Sequence, residues 1–221
     1  MIIGNTVFNA TGTVSMPVGG GFTYSGELGF SQGLLVGDSF SAAANWPASV
    51  TRFPLSIVAA GGDKLTDQTV TTLQANINAN PNADFVIIQG GVNDLTNVGD
   101  PQTAAQIQTA VTTMQQICRS AGKQVVIMEV GPYAGSASWA AGEQVHLDNY
   151  NAWITTESAA QTDTSEIPIY AVLEGDTTAD TLSLIANGDS VTYDSGDALH
   201  PNAAGYVLIG SQADTALEAI S

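Results

Sequence analysis

Three residue types that together can perform nucleophilic catalysis occur in short motifs of this 221-residue chain. Ser39 ends the tripeptide Gly37-Asp38-Ser39, and Asp197 and His200 enclose the tetrapeptide Asp197-Ala198-Leu199-His200. A serine hydroxyl is a poor nucleophile until a neighbouring base removes its proton, and the neutral imidazole of His200 is suited to that step. Asp197 can accept the second ring N–H of the histidine and so fix its tautomer. These residue types indicate acyl transfer through a covalent intermediate.

Two further motifs contain groups that can stabilise the oxyanion of such a reaction. They are Gly61-Gly62 and Gly91-Val92-Asn93-Asp94. A glycine lets its backbone N–H approach a substrate oxygen because it has no Cβ, and an asparagine offers a side-chain N–H₂ group. Each motif alone is weak, since Gly-Asp-Ser is usually a turn and Asn-Asp often caps a helix. Their occurrence together, each next to an inferred strand end, favours an enzyme.

The elements that must position these motifs alternate between strands and helices. Short runs rich in valine and isoleucine, typical of parallel strands covered on both faces, occupy residues 34–36, 55–60, 85–89 and 125–130, with 167–173 as a fifth candidate. Helices are predicted at residues 67–80, 103–121 and 142–159, and from about 202 to 220. The alternation predicts a three-layer α/β/α flavodoxin-like sandwich with about five parallel strands, whose ligands bind beyond the carboxyl ends of the strands.

The sequence Gly37-Asp38-Ser39-Phe40 resembles the motif that names the GDSL, or SGNH, hydrolase family, with phenylalanine where leucine is usual. The resemblance continues in order through the later motifs, from about residue 34 to residue 206. It implies the SGNH hydrolase fold, with Ser39 as the nucleophile and His200 and Asp197 as its partners in a triad. It also implies an oxyanion hole formed by the backbone N–H groups of Ser39 and Gly62 and the side chain of Asn93. Gly61 could hold the place of Gly62, and the sequence leaves this choice open.

The composition restricts the classes of ligand and cofactor. The formal net charge is −17, and the only basic side chains are Arg52, Lys64, Arg119 and Lys123. Four scattered cations cannot form a basic patch, so nucleic-acid binding is excluded and a neutral substrate is expected. Two histidines and one cysteine, without a metal-binding pattern, predict that no metal is needed, and no phosphate-binding loop is present. We therefore expect no cofactor.

The resemblance implies esters or thioesters as substrates, and the sequence bears only weakly on which ones. Tyr133 and Trp139 follow a predicted strand end and could flank the cleft, since aromatic faces suit both sugar rings and acyl chains. No amphipathic basic helix is evident, which argues against a lipase that works on bilayers. We expect a carboxylic ester hydrolase that removes short acyl groups, acetyl foremost, from a neutral carbohydrate or a small molecule.

The first part of the chain differs from the rest. Residues 1–33 are rich in glycine and threonine, and they predict a β-like extension or an oligomer contact beside a hydrolase domain at residues 34–221. The chain begins without the charged and apolar regions of a signal peptide, and no apolar run approaches the roughly 20 residues of a membrane helix. Its lysine-poor composition favours an extracellular, surface or virion setting. Two alternatives therefore remain, namely a structural or binding component of a virion or surface assembly and an O-acyltransferase that uses the same serine.

Overall fold

The structure is a computed structural model that describes residues 31–42, 45–96, 100–133, 142–174, 193, 195, 197 and 199–220. Nearly all of the predicted N-terminal extension lies outside these residues, as does Trp139. The division of the chain at residue 33 therefore stays a prediction. Within the described residues, no helix is both long and apolar enough to cross a membrane.

Five parallel strands form the centre of the fold. They are β1 (Gly33–Gly37), β2 (Leu55–Ala59), β3 (Phe85–Ile88), β4 (Gln124–Met128) and β5 (Thr164–Ile167). Their order in the sheet is β2-β1-β3-β4-β5, with Gly33 of β1 level with Leu55 on one side and Phe85 on the other. This is the flavodoxin-like order, in which the strand order reverses between β1 and β3 and ligands bind at the carboxyl ends beside that point. The predicted fold is confirmed.

Helices connect the strands and cover both faces of the sheet. They are α1 (Val70–Ala79), α2 (Val92–Thr96), α3 (Ala104–Ser120), α4 (Glu143–Ala160), α5 (Tyr170–Glu174) and α6 (Ala203–Ile220). Helix α3 packs between α1 and α4, whereas α6 packs against the turn at Trp46–Ser49. Every residue of β1 and β3 is buried, which explains why these strands read as continuous apolar runs rather than alternating ones.

The bounds of the fifth strand differ from the prediction. The sequence pattern placed it at residues 167–173, but β5 ends at Ile167 and α5 begins at Tyr170. Pro168 cannot donate a hydrogen bond to a neighbouring strand, so it ends the strand. The carboxylate of Glu129 accepts the backbone N–H groups of Ile169 and Tyr170, both at 2.8 Å, and so satisfies the start of the helix.

Local signals set both ends of α3 as the sequence predicts. Thr103 forms a capping box with Gln106, in which each side chain bonds the backbone N–H of the other residue. At the other end Gly122 adopts a φ of +69°, and the N–H of Lys123 reaches back to the carbonyl of Cys118 at 2.9 Å. This left-handed termination satisfies the last carbonyls and favours glycine.

Candidate active site

The turn after β1 places Ser39 at the carboxyl edge of the sheet. Ser39 begins a short 3₁₀ turn, and the carboxylate of Asp38 caps this turn by accepting the N–H of Phe40 at 3.0 Å. Gln89, which follows β3, accepts from the backbone N–H of Asp38 at 3.2 Å and from the hydroxyl of Ser41 at 2.7 Å. The neighbouring strand thus holds the turn on which Ser39 stands.

A chain of hydrogen bonds joins Ser39 to His200 and Asp197, although 161 residues separate the serine from the histidine. The Oγ of Ser39 lies 2.8 Å from Nε2 of His200, and Nδ1 of the same ring lies 2.6 Å from Oδ2 of Asp197. The histidine side chain is 28% exposed and that of the aspartate 50%, so solvent reaches the group. The structure brings together the three residues that the sequence predicted as a triad.

The second carboxylate oxygen of Asp197 organises the loop that carries it. This oxygen, Oδ1, accepts the backbone N–H groups of Leu199 and His200 at 3.0 and 2.7 Å and the hydroxyl of Ser195 at 3.0 Å. Burial disfavours the ionised carboxylate, but the hydrogen bonds from His200, Leu199 and Ser195 outweigh it and lower the pKa of Asp197 to about 2. Asp197 is therefore charged near neutral pH and can stabilise a protonated imidazole beside it.

An aromatic ring and the start of α6 flank His200. The ring of Phe40 lies against it, with 5.3 Å between the ring centroids. Just beyond the histidine, the side chain of Asn202 accepts the N–H groups of Ala204 and Gly205 at 2.9 and 3.1 Å and so caps the start of α6. The histidine is thus held between an aromatic ring and the beginning of a helix.

The glycine pair forms an exposed turn after β2. The N–H of Asp63 bonds to the carbonyl of Ala60 at 3.2 Å, and Gly62 has a φ of +85°, a conformation that favours glycine in the third position of such a turn. A Cβ at Gly61 would lie 3.9 Å from the Cβ of Ser39, so the turn borders the serine. Neither Ser39 nor Gly62 has a backbone N–H bonded to an acceptor among the described residues.

Asn93, in α2, connects the other two loops of the site. Its side-chain Nδ2 donates to the carbonyl of Asp63 at 3.1 Å and lies 3.3 Å from Oδ2 of Asp38. The next residue, Asp94, is completely buried and accepts the N–H groups of Leu65 and Thr66 at 2.9 and 3.0 Å. Asp38 and Asp94 therefore both bond to residues far along the chain. Gln89 was missed altogether by sequence reasoning, and its only signal was a polar residue after a buried strand.

The predicted aromatic contacts with substrate are not part of this geometry. Tyr133 packs in the hydrophobic core with 1% of its surface exposed, so almost none of its ring is accessible to a ligand. Trp139 lies outside the described residues. A role for either residue in binding substrate stays a prediction, and the function proposed below does not depend on it.

Solved structures with the same fold include several esterases and lipases. A GDSL-like lipase from Bacteroides thetaiotaomicron superposes with a TM-score of 0.71 at 14% identity, over 86% of this chain and 89% of that one. The psychrotrophic esterase EstA from Pseudoalteromonas superposes with a TM-score of 0.61 at 17% identity, over 86% of this chain and 97% of that one. A variant of an acetyl-xylooligosaccharide esterase from Geobacillus superposes with a TM-score of 0.63 at 14% identity, over 85% of this chain and 94% of that one. At these identities the similarity establishes a shared fold.

The family itself is identified from the sequence. No curated protein matches the chain significantly. The model of the GDSL-like lipase/acylhydrolase family, however, matches residues 30–208, a span that contains Ser39, Asn93 and His200. The chain therefore belongs to the GDSL-like lipase/acylhydrolase family, and it is a hydrolase by that membership.

Proposed function

We propose that the protein is a serine esterase that removes short acyl groups, acetyl foremost, from a neutral carbohydrate or small-molecule ester. The observation that carries this proposal is the hydrogen-bonded series of carboxylate, imidazole and hydroxyl formed by Asp197, His200 and Ser39, with contacts of 2.6 and 2.8 Å. This arrangement activates a serine without a metal or a cofactor.

In the proposed reaction, Oγ of Ser39 attacks the ester carbonyl carbon while its proton moves to Nε2 of His200. The tetrahedral intermediate collapses to an acyl-serine as the imidazolium returns that proton to the leaving alkoxide, which departs as an alcohol. Water then attacks the acyl-serine with His200 as the base, and the acid is released as Oγ regains its proton. Throughout, Asp197 holds the ring in one tautomer and balances its positive charge.

The oxyanion of both intermediates needs donors that are in place before the reaction. We assign this role to the backbone N–H groups of Ser39 and Gly62 and to the side-chain amide of Asn93. The two backbone groups have no acceptor among the described residues, and the glycine turn borders the serine. A single donor of this kind typically contributes about 2.7–4 kcal/mol to transition-state stabilisation.

Two observations support a short acyl group on a neutral molecule. The net charge of −17 disfavours anionic substrates. One protein with the same fold is named for acetyl-xylooligosaccharides, which agrees with an acetylated carbohydrate as the substrate class.

A comparison of acyl-chain lengths and acetylated glycans tests the proposal. We expect kcat/KM for p-nitrophenyl esters to be highest for acetate and to fall as the chain lengthens, and we expect acetate release from a neutral acetylated oligosaccharide. Ser39→Ala should abolish both activities, whereas Ser120→Ala, an exposed serine near the end of α3, should leave them unchanged. Full activity in Ser39→Ala would contradict the nucleophile, and a preference for long chains would contradict the substrate class.

A further inference from the structure

We propose that Asp38 is a positioning residue that orients the side-chain amide of Asn93, so that its N–H₂ group rather than its oxygen serves the oxyanion hole. This inference rests on the proposed function and deepens it. The aspartate is 1% exposed, and no step of the proposed reaction uses its carboxylate. It reaches Asn93 across 55 residues of sequence.

The contacts of the Asn93 amide select one of its two orientations. Nδ2 lies 3.3 Å from Oδ2 of Asp38 and 3.1 Å from the carbonyl oxygen of Asp63, and both of these atoms are acceptors. Rotating the amide by half a turn would place its own oxygen against a carboxylate and a carbonyl. An amide oxygen has no proton to donate, so the rotated form loses these two contacts and adds repulsion. The amide has only two N–H protons, so in the reaction the oxyanion takes the place of the Asp63 carbonyl while Asp38 keeps the other proton.

The same carboxylate is also fixed relative to the nucleophile. Its other oxygen accepts the N–H of Phe40 at 3.0 Å, and the backbone N–H of Asp38 is bound to Gln89. Ser39 lies between Asp38 and Phe40 in the chain, so one carboxylate bonds to the nucleophile turn through Oδ1 and to the asparagine through Oδ2. The separation between two of the proposed oxyanion donors is thereby set by a single side chain.

The orientation depends on the charge of the carboxylate. Burial raises the pKa of Asp38 to about 6, although the N–H of Phe40, the side chain of Gln89 and the charge of His200 lower it. The buried Asp94 raises it further. Tyr206 of α6 also faces this carboxylate, since its pKa is raised by burial and then by the charges of Asp197 and Asp38. Above about pH 6 the ionised form accepts from the Asn93 amide. Below that pH the carboxyl carries a proton that it can donate, and the preference for one orientation of the amide weakens.

A double-mutant cycle separates this role from a merely structural one. We expect Asp38→Asn to lower kcat for p-nitrophenyl acetate by about 10²–10³-fold, as the loss of one oxyanion donor does, with KM changed less than about twofold. Asn93→Ala should lower kcat similarly, and the double variant should be no slower than Asn93→Ala alone, because Asp38 acts through Asn93. The control is Asp67→Asn, which removes an exposed charge from the short helical segment Leu65–Thr69 directly before α1. This variant should retain the wild-type kcat. Independent, multiplying losses in the double variant would overturn the proposal.

The pH dependence of the wild type compared with Asp38→Asn gives a second readout. Protonation of Asp38 removes the same interaction as Asp38→Asn, so the ratio of the wild-type kcat/KM to that of Asp38→Asn should fall as the pH drops below about 6. Above about pH 6 this ratio should be constant, because groups that titrate in both enzymes cancel in it. A ratio that does not change with pH would overturn the role of Asp38, while the dependence of activity on Ser39 would still stand or fall by the experiment on Ser39→Ala.

Discussion

At the scale of single residues, the two carboxylates near the His200 ring have opposite electrostatics. Asp197 is half exposed and surrounded by donors, and its pKa is lowered to about 2. Asp38 is buried, and its pKa is raised to about 6. Titration of Asp197 therefore does not shape activity near neutral pH, whereas protonation of Asp38 falls within that range. The environment of each carboxylate, and not its type, separates their roles.

Asp197→Asn tests the orienting role of the third triad residue. Asparagine keeps one acceptor oxygen but has an N–H₂ group in place of the other. It therefore cannot accept hydrogen bonds both from the His200 ring and from the three loop donors, and we expect the ring to take the wrong tautomer. The expected loss in kcat is on the order of 10³–10⁴-fold, with p-nitrophenyl acetate hydrolysis as the assay. Asp148→Asn, which removes an exposed charge on α4, is the control. A loss smaller than about threefold in Asp197→Asn would remove this residue from the triad.

At the scale of elements, the residues of the site lie where strands end and helices begin, whereas the outer helices cover the sheet. Ser39 follows β1, the glycine turn follows β2, and Asn93 lies shortly after β3. Because parallel strands end at one edge, their loops converge there. Helix α3 covers the sheet, and its capping box at Thr103 is separate from these loops. Stability of this helix can therefore be changed without changing the chemistry.

Thr103→Ala should lower the free energy of unfolding by about 1 kcal/mol, because it removes the side-chain half of the capping box. The hydroxyl of Thr103 accepts the N–H of Gln106, and alanine removes this side-chain acceptor while the bond of the same N–H to the Thr103 carbonyl remains. We expect kcat to remain within experimental error of the wild type. Urea unfolding followed by circular dichroism measures the change. Thr109→Ala, an exposed position within the same helix, should not destabilise it, and equal losses in both variants would contradict the capping role.

At the scale of the whole molecule, we expect the net charge to discriminate between neutral and anionic esters. The chain has 21 acidic and 4 basic side chains. Two of the bases are in ion pairs, Arg52 with Glu218 at 3.3 Å and Arg119 with Asp163 at 2.7 Å. The resulting negative field repels anions at long range and leaves neutral molecules unaffected.

Salt should therefore act differently on neutral and anionic acetyl esters. We expect kcat/KM for an acetyl ester bearing a sulfonate to rise as salt is increased from about 0.01 to 0.5 M, because the screening length falls from about 30 Å to a few ångströms. For p-nitrophenyl acetate, kcat/KM should change little. Initial rates at substrate concentrations below KM measure both. An anionic ester that is hydrolysed faster at low salt would show that the field at the site is not repulsive.

Much of the fold could be predicted because its signals are local. The apolar runs of β1 to β4, the capping box at Thr103 and the termination at Gly122 each depend on residues within a few positions of one another. The bounds of β5 could not be predicted in this way. The apolar run from residue 167 continues into α5, and the carboxylate that caps this helix comes from Glu129, 40 residues earlier.

The sequence by itself determined the family, the strand–helix alternation and the residue types of the site, because these follow from motifs and periodicity. Only the tertiary structure decided which atoms meet. The 2.8 Å contact of Ser39 with His200 depends on how the sheet and the loop before α6 come together. The contact of Asp38 with Asn93 depends on β1 and β3 being neighbours, which places two turns 55 residues apart at the same edge. Such contacts depend on the order of strands in space, and no local pattern of residues encodes that order.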